Sequence, residues 1–231
     1  MTASISWNTV HLVPPTPFSQ DGRQVDADTL ANLVESLINK GIQVVIPAAG
    51  TGEFHSLSVS EATVCIQTVA QMCRGRAKVL APVGLGLEHA LATGEIALKS
   101  GVDGILVMPP IHPYLSDTGV QLYFETIARE LRTKIWVYKR GPYPSNECLK
   151  TLVDKNVVCG IKYAVNDMNS VADFIESIDS SCHVVCGTAE RNAPFFHLAG
   201  ARGFTSGLAT LFPELSLKLH DHLTNSDYEK A

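Results

Sequence analysis

Segments with the apolar spacing of helices alternate with short apolar runs along the whole chain. In most of the helical segments apolar residues recur every three or four positions, so that each helix has one face to bury. Eight helices are predicted, at Leu30–Ile38, Ala62–Cys73, Leu87–Lys99, Val120–Leu131, Ser145–Val153, Met168–Ile178, Glu190–Leu198 and Pro213–Leu223. Eight strands are predicted between them, at Val10–Val13, Ile42–Pro47, Lys78–Val83, Gly104–Met108, Lys134–Tyr138, Val157–Lys162, His183–Cys186 and Gly203–Thr205.

These strands are apolar on both faces, and helices connect them. Both features indicate a parallel sheet whose two faces are covered. A glycine stands between a helix end and the next strand at Gly41, Gly101 and Gly200, where it suits the left-handed end of a helix. Eight β/α units favour an α/β fold that closes into a (β/α)8 TIM barrel, with residues 1–231 as a single domain. An open doubly wound sheet is the alternative, although no G-x-G-x-x-G follows the first strand.

Polar residues sharpen the starts of the first two helices, and a glycine stands inside the third. Asp26 or Asp28 can cap the first helix, while Ser58 and Glu61 have the spacing of a capping box at the start of the second. Gly94 lies inside the third helix and is expected to weaken it. These details predict where helices begin, and they leave the fold class unchanged.

Composition and charge narrow the class of protein. Hydrophobic residues make up 45% of the 231 residues and charged residues 18%, as in ordinary globular domains. A formal net charge of -5 argues against nucleic acid or an anionic membrane as partner. Met1 to Asn8 show no signal-peptide pattern and no apolar run could span a bilayer, so a cytoplasmic location is expected. The six cysteines form no C-x-x-C pair and are expected to be reduced and structural.

In a barrel of this kind the active site lies at the carboxyl ends of the strands. The fifth predicted strand ends at Tyr138 and the sixth at Lys162, and these strands are neighbours. An amine at the end of an apolar strand has a lowered pKa when buried and can then attack a carbonyl carbon. A nearby phenol can carry protons during imine formation. Lys162 and Tyr138 are therefore the predicted catalytic residues, and a lysine that only reaches solvent from the strand end is the alternative.

Two loops rich in small residues follow other strands at the same rim. Gly50, Thr51 and Gly52 follow the second strand, and their amides could hold a carboxylate or phosphate, although a simple tight turn has the same composition. Glu53 is either an acid–base group or a support for this loop. Thr205 ends the eighth predicted strand, and Ser206 and Gly207 follow it. These three residues are also predicted to contact substrate.

Other catalytic classes lack their patterns in this sequence. The eight histidines are scattered, and His220 and His222 stand at a spacing that does not share a helix face. No metal site is therefore predicted. Ser206 is not part of a G-x-S-x-G elbow, which argues against a serine hydrolase.

At these residues the chain resembles the dihydrodipicolinate synthase and N-acetylneuraminate lyase family of class I aldolases. The resemblance covers nearly the whole chain and is highly specific as an ordered set. It is carried by Pro14–Phe18 with Asp21–Gly22, Gly50–Phe54 with Ser56–Ser58, Val107–Pro110, Val137–Tyr138 and Gly160–Lys162.

The resemblance implies a Schiff base between Lys162 and the keto carbon of pyruvate or another 2-keto acid, with Tyr138 relaying protons. It implies that Thr51 and the Gly50 and Thr51 amides hold the keto-acid carboxylate. It also implies a homodimer or homotetramer, and neither a metal nor an organic cofactor. Family members usually continue with further C-terminal helices, whereas this sequence stops at Lys230–Ala231, so either the chain was cut or this member is short.

Departures from the synthase pattern concern the second substrate. Gly50 stands where that pattern has its first threonine, and His112 where a neighbouring subunit usually lends a tyrosine. The expected arginine after the fifth strand is displaced, with Tyr143 near its place and Arg140 two residues after Tyr138. The sequences Ala-Gly-Thr-Gly-Glu-Phe and Tyr-x-Arg are closer to 5-dehydro-4-deoxyglucarate dehydratases, with Arg140 as a substrate ligand.

The predicted function is dehydration or aldol cleavage of a sugar keto acid through an imine at Lys162. Dihydrodipicolinate synthase, acting on pyruvate and aspartate semialdehyde, and an N-acetylneuraminate lyase-like aldolase are alternatives with the same first step. A keto-acid-binding barrel without catalysis is an alternative of another class. A phosphate-sugar enzyme of a different barrel family would instead bind an anion near Ser206 and Gly207.

Overall fold

Eight parallel strands form a closed barrel surrounded by eight helices in this computed structural model, which describes residues 5–231. The start of the Met1 to Asn8 segment, for which no signal peptide is predicted, lies outside the described residues. The strands are β1 Val10–Leu12, β2 Val44–Val45, β3 Lys78–Val83, β4 Gly104–Val107, β5 Ile135–Lys139, β6 Val158–Tyr163, β7 His183–Cys186 and β8 Gly203–Ser206. The helices are α1 Ala27–Asn39, α2 Val59–Cys73, α3 Leu87–Lys99, α4 Asp117–Leu131, α5 Asn146–Asp154, α6 Met168–Ser177, α7 Ala193–Leu198 and α8 Pro213–Thr224.

Each strand pairs with the next in chain order, and β8 pairs with β1, which closes the barrel. The TIM-barrel prediction is therefore confirmed, and the open sheet is excluded.

Alternate residues of each strand enter two separate cores. On β5, Ile135 and Val137 pack outward against the helices, whereas Trp136 and Tyr138 point into the barrel. The neighbouring strand makes room for the indole ring at Gly160, where a Cβ would lie 2.3 Å from Trp136. A bulky inward residue thus faces an inward glycine, and the barrel interior is filled rather than open.

The helix predictions hold with local corrections. Asp26 caps α1 and Ser58 with Glu61 forms the capping box of α2. The predicted helix Glu190–Leu198 is divided into a 3-10 turn, Glu190–Asn192, and α7.

Gly94 has a packing role that the helix pattern does not reveal. A Cβ there would lie 2.4 Å from Cδ1 of Leu131, so the glycine lets α4 approach α3 closely.

Strand boundaries differ more from the sequence expectation. Only Val44 and Val45 of the predicted Ile42–Pro47 run form ladder pairs. At the rim some strands are longer than predicted, since β5 continues to Lys139 and β6 to Tyr163, where the two residues are paired. Two large side chains at the carboxyl rim therefore belong to the sheet rather than to loops. By contrast, β1 and β4 each end one residue earlier than predicted, at Leu12 and Val107.

The six cysteines are free thiols; five are buried and Cys159 is half-buried. In the part of the chain that the structure describes, no helix combines the length and apolarity needed to cross a bilayer.

Candidate active site

Lys162 and Tyr138 lie side by side at the carboxyl end of the barrel. They are register partners on β6 and β5, so both side chains point inward at the same level. Nζ of Lys162 lies 4.3 Å from the centroid of the Tyr138 ring. Lys162 is 5% exposed and Tyr138 is 8% exposed. The predicted pair is thus brought together in a largely dry environment.

Burial changes the acidity of both groups. It lowers the pKa of Lys162 from 10.5 to about 8, and the positive charge of Arg140 acts in the same direction while Cys186 opposes it. Burial raises the pKa of Tyr138, with Arg140 opposing. About a tenth of the lysine is then neutral at pH 7, whereas the phenol keeps its proton. The site therefore holds an amine that can act as a nucleophile beside a group that can donate a proton.

The loop after β2 presents Gly50 and Thr51 on the surface of the rim. Thr51 donates a hydrogen bond through Oγ1 to the carbonyl of Val13, so its hydroxyl proton is engaged. Among residues 5–231 no backbone carbonyl accepts a hydrogen bond from the Gly50 or Thr51 amide. These two amides, rather than the Thr51 hydroxyl proton, are the donors that the loop offers to an anion.

Close backbone approaches shape this loop. A Cβ on Gly52 would lie 2.9 Å from Cα of Ala48, so only glycine fits there. A Cβ on Gly50 would meet nothing within 4 Å, so the space beside its Cα is open. Gly207 contacts the same loop from β8, since its Cβ would lie 3.0 Å from Cγ2 of Thr51. The β2 and β8 ends therefore meet, as the sequence predicts.

The end of β8 supplies one inward side chain and one outward side chain. Thr205 points inward beside β7 and donates to the carbonyl of Cys186 over 3.3 Å. Ser206 points outward, where its hydroxyl donates to Glu190, lies 3.3 Å from the hydroxyl of Ser216 and accepts from the Ala209 amide.

The geometry therefore does not support the predicted substrate contact for the Ser206 side chain. Strand alternation turns a residue that follows an inward neighbour away from the barrel. Its hydroxyl instead joins β8 to the 3-10 turn and to α8.

A cavity of about 300 Å³ opens beside Tyr138. Arg140, Tyr143 and His112 are among the residues that line it. Lys162 does not line this cavity; it lies beneath the rim, next to Tyr138. Arg140, predicted as a substrate ligand, therefore lies at a cavity that adjoins Tyr138.

The structure shows where His112, Tyr143 and Glu53 lie, the residues that depart from the synthase pattern or whose role the sequence leaves open. His112 lines the cavity of its own chain, is exposed, and accepts a hydrogen bond from the Tyr114 amide through Nδ1 over 3.1 Å. Tyr143 lines the same cavity and follows β5 in the chain. Glu53 is exposed and has a left-handed backbone, with φ of 64°.

Three residues near the site escaped the sequence reasoning. Gly187 follows β7, and a Cβ there would lie 3.1 Å from Cγ of Lys162. Lys139 is buried on the outer side of β5. His11 is fully buried in the barrel floor, and burial lowers its pKa to about 4. Gly187 could have been predicted from its place directly after a strand. Nothing in the sequence pattern shows whether His11 and Lys139 are buried or exposed.

Possible metal ligands do not gather in this structure. Across residues 5–231, the side chains of His, Cys, Asp and Glu form no group of three or more that could hold an ion.

Sequence comparison connects this geometry to known proteins. The sequence profile of the dihydrodipicolinate synthetase family matches residues 8–231. A probable 5-dehydro-4-deoxyglucarate dehydratase from Oceanobacillus iheyensis is 28% identical over 93% of this chain and 70% of its own length. A 4-hydroxy-tetrahydrodipicolinate synthase from Thermoanaerobacter sp. is 29% identical over 94% of this chain and 74% of its own length.

Structural comparison agrees. The crystal structure of dihydrodipicolinate synthase from Oceanobacillus iheyensis superimposes with a TM-score of 0.92 and is 36% identical in sequence. The match covers 96% of this chain and 75% of that one.

Proposed function

Because this chain belongs to the dihydrodipicolinate synthetase family, whose members are class I aldolase-type lyases, we propose that it acts on a 2-keto acid through a Schiff base at Lys162. The observation that carries the proposal is the buried amine of Lys162, 4.3 Å from the ring of Tyr138. Its pKa of about 8 keeps part of the amine neutral under ordinary conditions.

The first step follows from this arrangement. The lone pair of neutral Lys162 attacks the keto carbon, and the carbonyl oxygen takes up a proton to give a carbinolamine. Loss of water then forms the imine, with Tyr138 as the group that delivers a proton to the departing oxygen. The protonated imine withdraws electrons from the adjacent carbon, which can lose a proton to give an enamine.

The substrate carboxylate next to the keto group needs its own donors. The amides of Gly50 and Thr51 are unpaired with backbone carbonyls, and both residues are exposed at the rim. We place this carboxylate there, with Gly52 allowing the tight backbone path and Thr205 and Gly207 closing the opposite side. Thr51 contributes chiefly through its amide, because its hydroxyl already donates to Val13.

The cavity beside Tyr138 favours a longer substrate than pyruvate. Its volume of about 300 Å³ and the Arg140 guanidinium suit a chain that ends in a second carboxylate. In 5-dehydro-4-deoxyglucarate a carboxylate stands at each end and a hydroxyl lies β to the keto group. The enamine can therefore expel that hydroxyl as water, which makes dehydration the favoured reaction; cleavage of a carbon–carbon bond uses the same imine.

Borohydride trapping tests the proposal. Reduction in the presence of pyruvate or 5-dehydro-4-deoxyglucarate should add the mass of the reduced keto acid to the peptide that contains Lys162. The variant K162M should show no adduct, and K150M, which changes a half-buried lysine on α5, should behave as the original protein. A reduced protein with no added mass from either acid would contradict the proposal.

Turnover distinguishes the reactions that share this first step. The 36% identical synthase structure supports the condensation of pyruvate with aspartate semialdehyde as the second candidate. A panel that contains 5-dehydro-4-deoxyglucarate, N-acetylneuraminate, and pyruvate with aspartate semialdehyde would separate dehydratase, aldolase and synthase. We expect the dehydratase substrate to have the highest kcat/KM.

The proposal includes the assembly state and the absence of a cofactor. Since the imine itself withdraws the electrons, dialysis against EDTA should leave turnover unchanged, and a loss restored by one divalent ion would contradict this. We propose a homo-oligomer, which light scattering would report as a mass of two or four chains.

A further inference from the structure

A second buried lysine stands immediately after Tyr138. Lys139 is 4% exposed and lies on the outer side of β5, opposite to the barrel interior. Its Nζ donates to the carbonyl of Pro144 over 2.6 Å and to that of Gly141 over 3.4 Å. The same ammonium lies 5.5 Å from the centroid of the Tyr163 ring. Lys139 thus contacts the chain a few residues ahead of itself.

This buried cation is held without a direct ion pair. None of the ion pairs formed within residues 5–231 includes Lys139. Burial lowers its pKa, while the more distant Asp117 and Glu147 and the thiol of Cys148 oppose that effect. A buried charge with such partners stabilises a fold little or not at all compared with an apolar side chain. The effect of Lys139 therefore lies in the contacts that it fixes rather than in added stability.

That geometry concerns the segment 140–144. The Lys139 ammonium bridges two carbonyls of the segment, those of residues 141 and 144, and the Ser145 amide anchors its far end by donating to Asp117 over 2.9 Å. Between these anchors, Arg140 and Tyr143 line the cavity beside Tyr138. The position of both side chains thus depends on the path of a short segment tied down from beneath by Lys139.

We propose that Lys139 is a positioning residue that determines substrate specificity by holding the segment 140–144 against the cavity. It does not touch the substrate. It fixes where the Arg140 guanidinium and the Tyr143 ring meet the half of the substrate remote from the imine. This inference rests on the proposed function for its substrate, and on the structure alone for the segment.

Kinetics of K139M separate positioning from general stability. Methionine keeps the length and removes the charge and donors, so the segment should lose its two carbonyl contacts. KM for 5-dehydro-4-deoxyglucarate should rise at least tenfold with a smaller loss in kcat, while trapping of pyruvate should stay within twofold. K139R keeps a charged donor and should recover part of the loss; K150M is the control for removing a lysine charge.

Limited trypsin digestion tests the same role without turnover. Arg140 is exposed, and the bond between Arg140 and Gly141 is a trypsin site within the held segment. In K139M the fragment that begins at Gly141 should appear at least five times faster than in the original protein and in K150M. An unchanged cleavage rate would overturn the proposal.

Two further outcomes are decisive. Equal losses for pyruvate and for the longer acid would show that Lys139 is merely structural and would also overturn the specificity role. If the original protein forms no imine with either acid, the proposed function fails, and the cleavage rate alone then decides whether Lys139 holds the segment.

Discussion

Burial of the Lys162 amine costs free energy while the amine is charged, and the same burial makes the amine a nucleophile. An ammonium loses hydration inside the barrel, so the folded protein favours the neutral form. The positive charge of Arg140 strengthens the effect from the rim. The same environment that activates the nucleophile therefore destabilises the fold wherever Lys162 would otherwise be charged.

The variant K162M should be more stable than the original protein near pH 7. A pKa lowered from 10.5 to about 8 corresponds to about 3 kcal/mol of unfavourable free energy while the amine is charged. The unfolded chain binds the proton more tightly, so the original protein gains stability as pH rises from 8 to 10.5. The advantage of K162M should therefore be largest below pH 8 and shrink above it.

Urea unfolding at pH 7 and at pH 9.5 measures this difference, with K150M as the control for loss of a lysine outside the barrel interior, on α5. A K162M protein that is less stable than the original at pH 7, or whose advantage grows with pH, would contradict the buried-charge interpretation.

Arg140 should influence the rate of imine formation through charge as well as contact. Removing its guanidinium in R140M should raise the pKa of Lys162, because that positive charge helps to lower it. The rate of adduct formation with pyruvate should then be severalfold slower near pH 7.5 and converge with the original rate near pH 10. The pH profile of borohydride-trapped adduct measures this, and R129M on α4 is the exposed control. An unmoved midpoint would exclude the electrostatic role.

The contact between α3 and α4 overrides helix propensity at one position in α3. Glycine inside α3 is unfavourable for a helix by about 1 kcal/mol compared with alanine. The close approach of Leu131 from α4 nevertheless excludes a Cβ at Gly94. At the scale of elements, therefore, the contact between two helices decides the residue, and helix propensity does not.

The variant G94A should consequently lower stability although alanine is the better helix former. The added methyl has to displace Leu131, and overpacking of this kind typically costs about 1–3 kcal/mol. G119A in α4 is the matched control, because a Cβ there would make only an ordinary contact of 3.4 Å with Ser116. G119A should be neutral or slightly stabilising in urea unfolding. A stabilised G94A would contradict the packing argument.

The whole barrel depends on complementary sizes among residues from distant parts of the chain. Its floor contains both tryptophans of the sequence, with the rings of Trp7 and Trp136 5.1 Å apart. His183 stacks on Trp136 at a centroid distance of 5.8 Å. Gly160 completes this layer by leaving space for the Trp136 ring. No single β/α unit contains this arrangement.

The variant G160A should disturb the barrel as a unit. A Cβ at 2.3 Å from the indole cannot be accommodated without moving Trp136 or β6. Stability should fall by about 3 kcal/mol or more, and the tryptophan emission should shift, since both indoles lie in this layer. The trapping of pyruvate should fall too, because Lys162 is two residues further along β6. An unshifted emission spectrum with full stability would contradict this account.

Much of the fold and part of the site could be predicted from local information. The apolar periods, the glycines at helix ends and the caps Asp26 and Ser58 depend on neighbouring residues, and so they are readable in sequence order. The inward direction of Lys162 and Tyr138 follows from strand alternation once the strands are known. The family resemblance added the expected chemistry to this pair.

The outward direction of Ser206 and the burial of Lys139 could not be predicted from local information. Both depend on exact strand ends, which shift by a residue or two without any change in composition. A shift of one position reverses the side of the barrel on which a residue lies.

The sequence by itself determined the β/α alternation and the positions of Lys162 and Tyr138 at the ends of neighbouring strands, because each depends on short-range spacing. It favoured a closed barrel, but only the pairing of β8 with β1 excluded the open sheet. Only the tertiary structure decided that Thr51 uses its hydroxyl proton on Val13, that Gly207 meets that loop, and that Lys139 holds the cavity wall. These contacts join residues whose separation in the chain bears no fixed relation to their distance in space, so only the folded barrel specifies them.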